Sequence, residues 1–456
     1  MEIRGIWWPE GQGDAVPGTL RYAEGQQPEL SLDGGFRPNH ETPPGIPFVI
    51  LGRTSDGREV TLAECQLRSG SINLGLATSS ARYSVRFTII GAHASPWSAA
   101  RFRELSIHFD HADPWARITG FNQRILSLKE FELTYKIPDP VNVDVHGAVI
   151  RLSVEMIQSG DRLTTVELNQ RTLFTIIPDT PASIDHLLEL YAYPIQRFLT
   201  FGVGIAVHPI AAHAQLASSS TNRAWSIQIG DWMRPKPAKL VESPFMLFSF
   251  GDIETNYSSA LRAWLEFKDD LGPSLDLYFQ TVFATEMYRS GRFLNFVQAL
   301  EVYHRRRHGG VYLDQVAFDE LRDEIDAAIR QKVQSRAVAE ALAGRTQYWN
   351  EWSLRRRIKD VLNHCGPWTS SLIDDHQAFA HRVAQTRNFL THFSPEDKGG
   401  AASGSDLYLL GERVRFILEG CLLREMLLPD ELVADLMIDN QHYLWLRSVT
   451  QRRQRS

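Results

Sequence analysis

Residues 379–393 read Phe-Ala-His-Arg-Val-Ala-Gln-Thr-Arg-Asn-Phe-Leu-Thr-His-Phe, and two periodicities run through them. Apolar side chains recur at helical spacing, on a face that would pack against a core. They are Phe379, Val383, Leu390 and Phe393. A polar stripe lies roughly opposite and consists of His381, Gln385, Asn388 and His392. The pattern predicts a helix over 372–393 that ends at Ser394-Pro395, because proline disfavours helical geometry in the residue before it.

Arg387 fits neither face of this helix. It lies about 40° from Val383, on the flank of the apolar face, where a guanidinium requires a carboxylate, a phosphate or carbonyl groups as partners. His392 lies about 140° further around the helix, so one regular helix cannot direct both side chains at the same atom. Two arrangements would bring them together: fraying of the helix at Ser394, or pooling of residues by two copies of the chain.

A resemblance to a known family begins at these residues. Arg387-Asn388, three more residues and His392 match the Arg-x(4–6)-His signature of the HEPN superfamily, whose ribonucleases commonly place a polar residue after the arginine. The segment that opens with Phe293–Glu301 resembles the HEPN domain of ApeA-like proteins. The N-terminal half is similar to the ApeA N-terminal domain through Gly5-Ile6-Trp7-Trp8-Pro9, Gly18-Thr19-Leu20, Ile50-Leu51-Gly52 and Val60-Thr61-Leu62.

The resemblance implies a biological role as well as a fold. ApeA-like proteins belong to bacterial defence against phage, in which a ribonuclease arrests the host by cutting RNA, tRNA in particular. HEPN ribonucleases form dimers, so a homodimer through the HEPN domain is implied here. The N-terminal half would then sense infection through a phage-derived trigger or restrain the nuclease.

Residues 1 to about 180 alternate apolar and polar side chains with period two, which predicts antiparallel strands. The clearest runs are 60–62, 83–89, 104–109 and a predicted hairpin of 148–156 with 164–177. The turn sequences between strands are Asp33-Gly34-Gly35, Ser55-Asp56-Gly57, Ser69-Gly70 and Ser159-Gly160-Asp161. We expect an antiparallel, β-rich, sandwich-like domain over 1–250, with one helix at 184–201.

Beyond residue 255 the apolar period becomes helical. The predicted helices cover 257–269, 273–287, 291–306, 313–343, 350–363, 372–393 and 405–427. Breaks are expected at Gly309-Gly310 and over 399–404. The sequence therefore predicts an α+β protein, in which an all-α bundle over 255–456 follows the β-rich domain, and the resemblance implies that this bundle is a HEPN domain.

Composition narrows the classes of protein. The net charge of −6 means that any RNA contact must come from local basic patches. Three widely spaced cysteines give no disulfide framework, and residues 1–10 do not read as a signal peptide, so we expect a cytoplasmic protein. The uncharged stretch 198–217 contains proline, two histidines and two glycines, which favours a buried strand and loop over a membrane segment.

RNA carries its own nucleophile, the 2′-hydroxyl, so its cleavage requires no metal and no cofactor. The reaction requires proton transfer and a cation for the charge that develops on the phosphate. We assign His392 to proton transfer, Arg387 to the phosphate and Asn388 to positioning. The expected products carry a 2′,3′-cyclic phosphate and a 5′-hydroxyl, and DNA should be spared.

Two side chains are expected to support this site. Glu301 lies on the flank of an apolar helix face, where it either pairs with Arg387 or points to solvent with Arg305, one turn away, as its partner. His381 shares the polar stripe and either lines the cleft or is an ordinary surface histidine. Basic runs in the helical half are candidate RNA contacts: Arg305, Arg306, Arg307, Arg355, Arg356 and Arg357.

The remaining motifs point to no metal site. His108 and Asp110 would share one face of a strand while His111 points away, and no third ligand is marked by spacing. Two other classes of function stay open. In the first alternative, the chain is a non-catalytic scaffold whose bundle only mediates association. In the second, its β-domain binds a small ligand or glycan. Contacts in the second case would be Trp7, Trp8, Trp97 and Trp115.

Overall fold

The computed structural model describes residues 2–11, 15–21, 27–36, 48–73, 78–127, 129–161, 163–218, 224–230, 232–233, 240–284, 286–393, 395 and 398–455. The chain divides into two compact units, 1–265 and 266–456. The first is rich in antiparallel strands and the second is helical, which confirms the predicted α+β class.

Strands dominate the N-terminal unit. In the part of the chain that the structure describes, they are β1 (Glu2–Pro9), β2 (Val16–Arg21), β3 (Glu29–Leu32), β4 (Phe48–Thr54), β5 (Glu59–Asn73), β6 (Thr78–Ser84), β7 (Phe87–Ile90), β8 (Phe102–Phe109), β9 (Phe121–Ser127), β10 (Glu130–Tyr135), β11 (Val141–Val145), β12 (Ala148–Ser159), β13 (Glu167–Pro178), β14 (Pro209–Leu216) and β15 (Trp225–Ile229).

Six strands close into a ring, in the order β5-β4-β1-β2-β3-β6 and back to β5, with every pairing antiparallel. Closure leaves these strands no open edge within the ring. Trp7 is fully buried inside and donates from Nε1 to the Gly18 carbonyl at 3.1 Å. Gly52 faces this indole so closely that a Cβ would lie 2.2 Å from the ring, so the site accepts only glycine.

The sheet continues beyond the ring as β7-β15-β14-β8-β13-β12-β11. The predicted hairpin is confirmed: β12 and β13 pair from Ala148 with Pro178 to Ser159 with Glu167. The predicted helix also forms, as α2 (Ile184–Leu187), a π-helical turn and α3 (Tyr193–Val203). Short helices α1 (Ala112–Ala116) and α4 (Phe250–Ile253) complete this unit.

Two local predictions in this unit are wrong. Ser69-Gly70 does not form a turn, because β5 runs through it and a bulge between Leu67 and Ser69 accommodates the irregularity. The run 83–89 is not one strand, since β6 ends at Ser84 and β7 begins at Phe87. Arg86 lies at the break and pairs with Glu64 at 2.9 Å.

Helices dominate the C-terminal unit, and the first of them, α5, begins at Tyr257, before the division between the two units. The helices are α5 (Tyr257–Phe283), α6 (Arg289–His308), α7 (Gln315–Lys332), α8 (Arg336–Thr346), α9 (Leu354–His364), α10 (His376–His392), α11 (Gly404–Glu425), α12 (Asp430–Asp439) and α13 (Gln441–Arg455). Helix α6 packs against α9, α10 and α11, and α9 also packs against α10. This packing places the three helices that carry the candidate residues side by side.

Several helix boundaries differ from the prediction: α9 begins at Leu354 rather than at 350, and α10 begins at His376 rather than at 372. The helices predicted at 257–269 and 273–287 are one helix, α5, which continues through Pro273. The helix predicted at 313–343 is two, α7 and α8. Gly309-Gly310 ends α6 as predicted, and Gly309 adopts a φ of 66°.

Stretch 198–217 is the end of α3 followed by β14, and it is largely buried. Within the described residues, no helix has the length and apolar character needed to cross a membrane.

Candidate functional site

Helix α10 carries the Arg387–His392 motif. It begins where Asp375 accepts hydrogen bonds from the backbone N–H groups of Gln377 and Ala378. It stays regular through His392, and Phe393 then adopts a left-handed φ of 52° and donates its N–H to the Phe389 carbonyl at 2.7 Å. The helix therefore does not fray between Arg387 and His392. The predicted stop at Ser394 lies outside the described residues.

The apolar face of α10 is only partly as predicted. Phe379 and Val383 are buried, together with Ala380 and Thr386, whereas the predicted core residue Leu390 is only half-buried. Phe393 is 70% exposed, because its left-handed backbone turns it away from the helix face. The prediction that Phe393 belongs to the core is wrong.

A cleft of about 560 Å³ lies where α6, α9 and α10 meet, and we call it the Arg387 cleft. Its lining residues are Glu301, Arg305, Tyr348, Glu351, Trp352, Ser353, Leu354, Arg355, His381, Ala384, Gln385, Arg387 and Asn388. Four of the residues predicted to form or support the site therefore line one cavity: Arg387, Asn388, Glu301 and His381. His392 is exposed and is not among the lining residues.

Arg387 donates from Nη1 to Oδ1 of Asn388 at 3.2 Å. Among the described residues, Asn388 is the one side chain that accepts a hydrogen bond from this guanidinium. A guanidinium has five N–H donors, so most of them stay available to an anion in the cleft. The neighbouring amide thus orients the arginine without neutralising it.

The cleft's carboxylates do not pair with Arg387. Glu301 binds Arg305 at 3.0 Å, one turn along α6, and Glu351 binds Arg305 as well. Of the two pairings considered for Glu301, the structure has the one with Arg305. Because Arg305 takes both carboxylates, Arg355 and Arg387 present positive charge to the cleft, and no carboxylate of the described residues is bonded to either.

His381 contacts Arg355 in this cleft, with 3.5 Å between Nδ1 and Nη1. An arginine can only donate, so Nδ1 of His381 is the acceptor in this contact. The His381 imidazole lines the same cavity as the Arg387 guanidinium. His381 is therefore not an isolated surface histidine.

Arg357 cannot contact RNA, which corrects the prediction for this residue. It is 2% exposed, and it donates to the carbonyls of Trp352, Gly309 and Gly310. Burial lowers the pKa of Arg357. A Cβ on Gly310 would lie 2.8 Å from this guanidinium, so the glycine makes room for it. Arg357 is a structural residue that ties the end of α6 to the start of α9.

The other predicted RNA contacts differ in availability. Arg307 is only 24% exposed and pairs with Asp270 at 3.1 Å and Glu425 at 2.9 Å, so it too is a structural residue. Arg305 is held by its two glutamates. Arg306 is exposed. The Arg356 guanidinium lies 4.0 Å above the Trp352 ring and stays exposed.

Sequence reasoning missed Glu351, Trp352, Tyr348 and Gln385 as lining residues. Glu351 reaches Arg305 across 46 positions of sequence, and no spacing signal marks such a pairing. Gln385 had a signal, because it belongs to the polar stripe that also holds His381 and Asn388.

The histidines considered in the β-rich unit have local carboxylate partners. His108 lies 3.1 Å from Asp113, and the fully buried His111 lies 3.2 Å from Asp110. Of the tryptophans considered as ligand contacts, Trp7 and Trp115 are fully buried and belong to the core.

Comparison with known families assigns both halves of the chain. The sequence model described as ApeA N-terminal domain 1 matches residues 2–264. The model described as Apea-like HEPN matches residues 294–432, which include Arg387, Asn388 and His392. No curated protein and no solved structure matches the chain significantly.

Proposed function

The chain belongs to the ApeA-like family, and we propose that its HEPN domain is a metal-independent endoribonuclease. The observation that carries this proposal is the state of Arg387. It lines a cleft, Asn388 orients it, and the carboxylates of the cleft pair with Arg305. A fixed guanidinium with free donors is suited to binding a phosphate in two-point contact.

In this mechanism Arg387 stabilises the charge that develops on the phosphate as the 2′-hydroxyl attacks. Asn388 fixes the plane of the guanidinium through their 3.2 Å hydrogen bond. His392 takes the proton from the attacking 2′-hydroxyl and then gives it to the departing 5′-oxygen, the general base and general acid work for which histidine is most often used. His381 lies in the cleft beside Arg355 and supports RNA binding there. The products carry 2′,3′-cyclic phosphate and 5′-hydroxyl ends.

The complete site needs two chains. His392 lies about 140° from Arg387 around a helix that is regular at both residues. A two-fold dimer would let Arg387 of one chain act with His392 of the partner subunit, and two-fold dimers are the commonest oligomers. The polar stripe of His381, Asn388 and His392 would face the partner, while Phe379 and Val383 stay in the core.

The proposed substrate is cellular RNA, with tRNA foremost, and the proposed setting is abortive infection in anti-phage defence. Arg355, Arg356 and Arg306 are the exposed basic residues that remain as RNA contacts. DNA lacks the 2′-hydroxyl that acts as the nucleophile, so it is not a substrate.

The β-rich region, residues 1–250, is proposed to regulate the nuclease and to receive a phage-derived trigger. The candidate catalytic residues all lie beyond it, in the helical region 255–456. A folded 255–456 fragment should be at least as active on RNA as the full chain. A fragment that folds but is inert, while the full chain cuts RNA, would place part of the substrate site in the β-rich region.

The experiment for the enzymatic proposal is an RNA cleavage assay with purified full-length chain in the presence of a chelator. We expect cuts that persist in the chelator, cyclic phosphate ends, and no cleavage of a DNA of the same sequence. Cleavage that requires Mg²⁺, or that also cuts the DNA, would contradict the mechanism. A non-catalytic scaffold would show no cleavage and no effect of replacing His392.

A further inference from the structure

Three potential metal ligands lie close together at the C-terminal end of α6, outside the Arg387 cleft. They are His308, the last residue of α6, and Asp360 and His364, one turn apart on α9. One ligand atom from each lies within 4.8 Å of the other two. The His308 and His364 rings stack, with centroids 4.9 Å apart and planes at 26°.

Hydrogen bonding fixes the tautomer of His364. Its Nδ1 lies 2.7 Å from the Asp360 backbone carbonyl, which can only accept. The proton of the neutral ring is therefore on Nδ1, and the lone pair is on Nε2. A histidine that donates one ring N–H to a carbonyl and binds a metal through the other nitrogen is the usual arrangement in metal sites.

The Asp360 carboxylate is oriented from behind by a buried chain of hydrogen bonds. Arg357 donates to Nδ1 of His304 at 3.1 Å, so this nitrogen accepts and the ring proton is on Nε2. Nε2 of His304 then donates to Oδ2 of Asp360 at 3.0 Å. His304 has no exposed side-chain surface, whereas Asp360 is 24% exposed. The outer partners of a ligating carboxylate are thus already in place.

We propose that His308, Asp360 and His364 bind a divalent transition-metal ion, Zn²⁺ foremost, and that the ion links the end of α6 to α9. Two imidazoles and one carboxylate form a ligand set that Zn²⁺ accepts, with water in the fourth position. Tetrahedral Zn²⁺ places its ligand atoms about 3.3 Å apart, so the donors must close by up to about 1.5 Å. His308 is exposed, so rotation of its side chain provides this movement.

The proposed ion lies beside a buried chain of hydrogen bonds that joins α6 to α9. Arg357 and His304 lie directly behind Asp360, and Arg357 also binds the carbonyls of Gly309 and Gly310. A metal at the surface end of this chain would hold the α6 end against α9. This inference is independent of the ribonuclease proposal, because no step of that chemistry passes through the ion.

The test is Zn²⁺ binding by the full-length chain after metal removal, measured by calorimetric titration and by the thermal unfolding midpoint. We expect one equivalent of Zn²⁺ more for the wild type than for the His308→Ala/His364→Ala double variant. Zn²⁺ at about 100 times its dissociation constant should raise the unfolding midpoint by about 5 °C. Each single variant, and Asp360→Asn, should weaken binding at least about tenfold.

His186→Ala is the matched control, because His186 is an exposed histidine of the other unit. It should bind Zn²⁺ as the wild type does. Equal stoichiometry and equal midpoint shifts in the wild type and the double variant would overturn the proposal, and so would the absence of Zn²⁺ binding to the wild type. If one alanine variant does not fold by circular dichroism, His364→Gln or His308→Gln decides the outcome instead.

Discussion

The Arg387 guanidinium donates a hydrogen bond to the side-chain amide of the next residue, Asn388, at 3.2 Å. Adjacent residues on a helix point about 100° apart, so this bond bends both side chains toward a shared direction. The cleft carboxylates, Glu301 and Glu351, are bonded to Arg305. The arginine is therefore fixed in direction but not neutralised, which is the condition that phosphate binding requires.

Replacing Arg387 should remove most of the RNase activity. We expect Arg387→Ala to lower the cleavage rate about 10²–10³-fold, the usual effect of removing one group that stabilises transition-state charge. Arg387→Lys should recover little, because an ammonium cannot make the two-point contact. Single-turnover cleavage of a short RNA measures both effects.

The matched control for this change is Arg382→Ala. Arg382 is on the same helix but pairs with Asp406 at 3.2 Å on an exposed surface. It should cleave at nearly the wild-type rate. Equal losses for Arg382→Ala and Arg387→Ala would mean that α10 tolerates no charge change, and that Arg387 has no special role.

Arg355 should contribute to RNA affinity through charge. In a cleavage-inactive His392→Ala background, Arg355→Ala should weaken RNA binding and lower the slope of log K against log salt by about 1. Lys332→Ala removes the same charge from an exposed position outside the cleft and should leave the slope unchanged. An unchanged slope for Arg355→Ala would remove this residue from the RNA contacts.

Replacing Arg357 should lower the stability of the fold. RNA affinity should decrease only to the extent that the variant unfolds. Arg357→Met leaves the Gly309 and Gly310 carbonyls without their buried donor, which we expect to cost about 3 kcal/mol. The thermal unfolding midpoint of the full chain measures this loss. Arg356→Ala, a change at the exposed neighbouring residue, should alter the free energy of unfolding by less than about 1 kcal/mol. A fully stable Arg357→Met variant with weakened RNA binding would restore Arg357 as an RNA contact.

His442 should make folding sensitive to acid. Burial and the nearby Arg415 lower the pKa of His442 from 6.5 to about 4. The charge of the nearby Glu419 opposes this shift only in part. Because the folded chain binds this proton less readily than the unfolded chain, stability is complete above pH 6.5 and falls as the pH decreases toward 4.

The loss attributable to His442 should be on the order of 2 kcal/mol after allowance for its partial exposure. Urea unfolding at several pH values should show a shallower decline for His442→Gln than for the wild type. His186→Gln, at an exposed histidine, is the control and should follow the wild-type curve. A His442→Gln curve parallel to the wild type would contradict the assignment.

Local periodicity predicted much of what the structure contains. The 3.6-residue pattern predicted a helix over 372–393, where the structure has α10 over His376–His392, and glycines placed the end of α6 at Gly309-Gly310. Period-two alternation placed the β12–β13 hairpin. Closure of six strands into a ring could not be read from one strand at a time, because it depends on pairing between β5 and β6 and between β3 and β6.

Side-chain partners were harder to predict than elements. Arg355, Arg356 and Arg357 form one charge run, yet only Arg357 is buried. The burial of Arg357 could have been predicted from helical spacing, because Arg357 is four residues before Val361 and lies on the same buried face. Only one of the two partners of Arg305 could be predicted from the sequence. Glu301 lies one helical turn away, whereas Glu351 comes from a distant part of the sequence.

The measurement that tests the central claim most directly is a mixture of Arg387→Ala and His392→Ala chains under conditions of subunit exchange. Each variant alone should be folded, dimeric and inactive. A mixed dimer retains one site, formed by Arg387 of one chain and His392 of the other. With equal amounts and random exchange, activity should return to about a quarter of the wild-type value. No recovery despite demonstrated exchange, or full-rate cleavage by a wild-type monomer, would contradict a site shared between two chains.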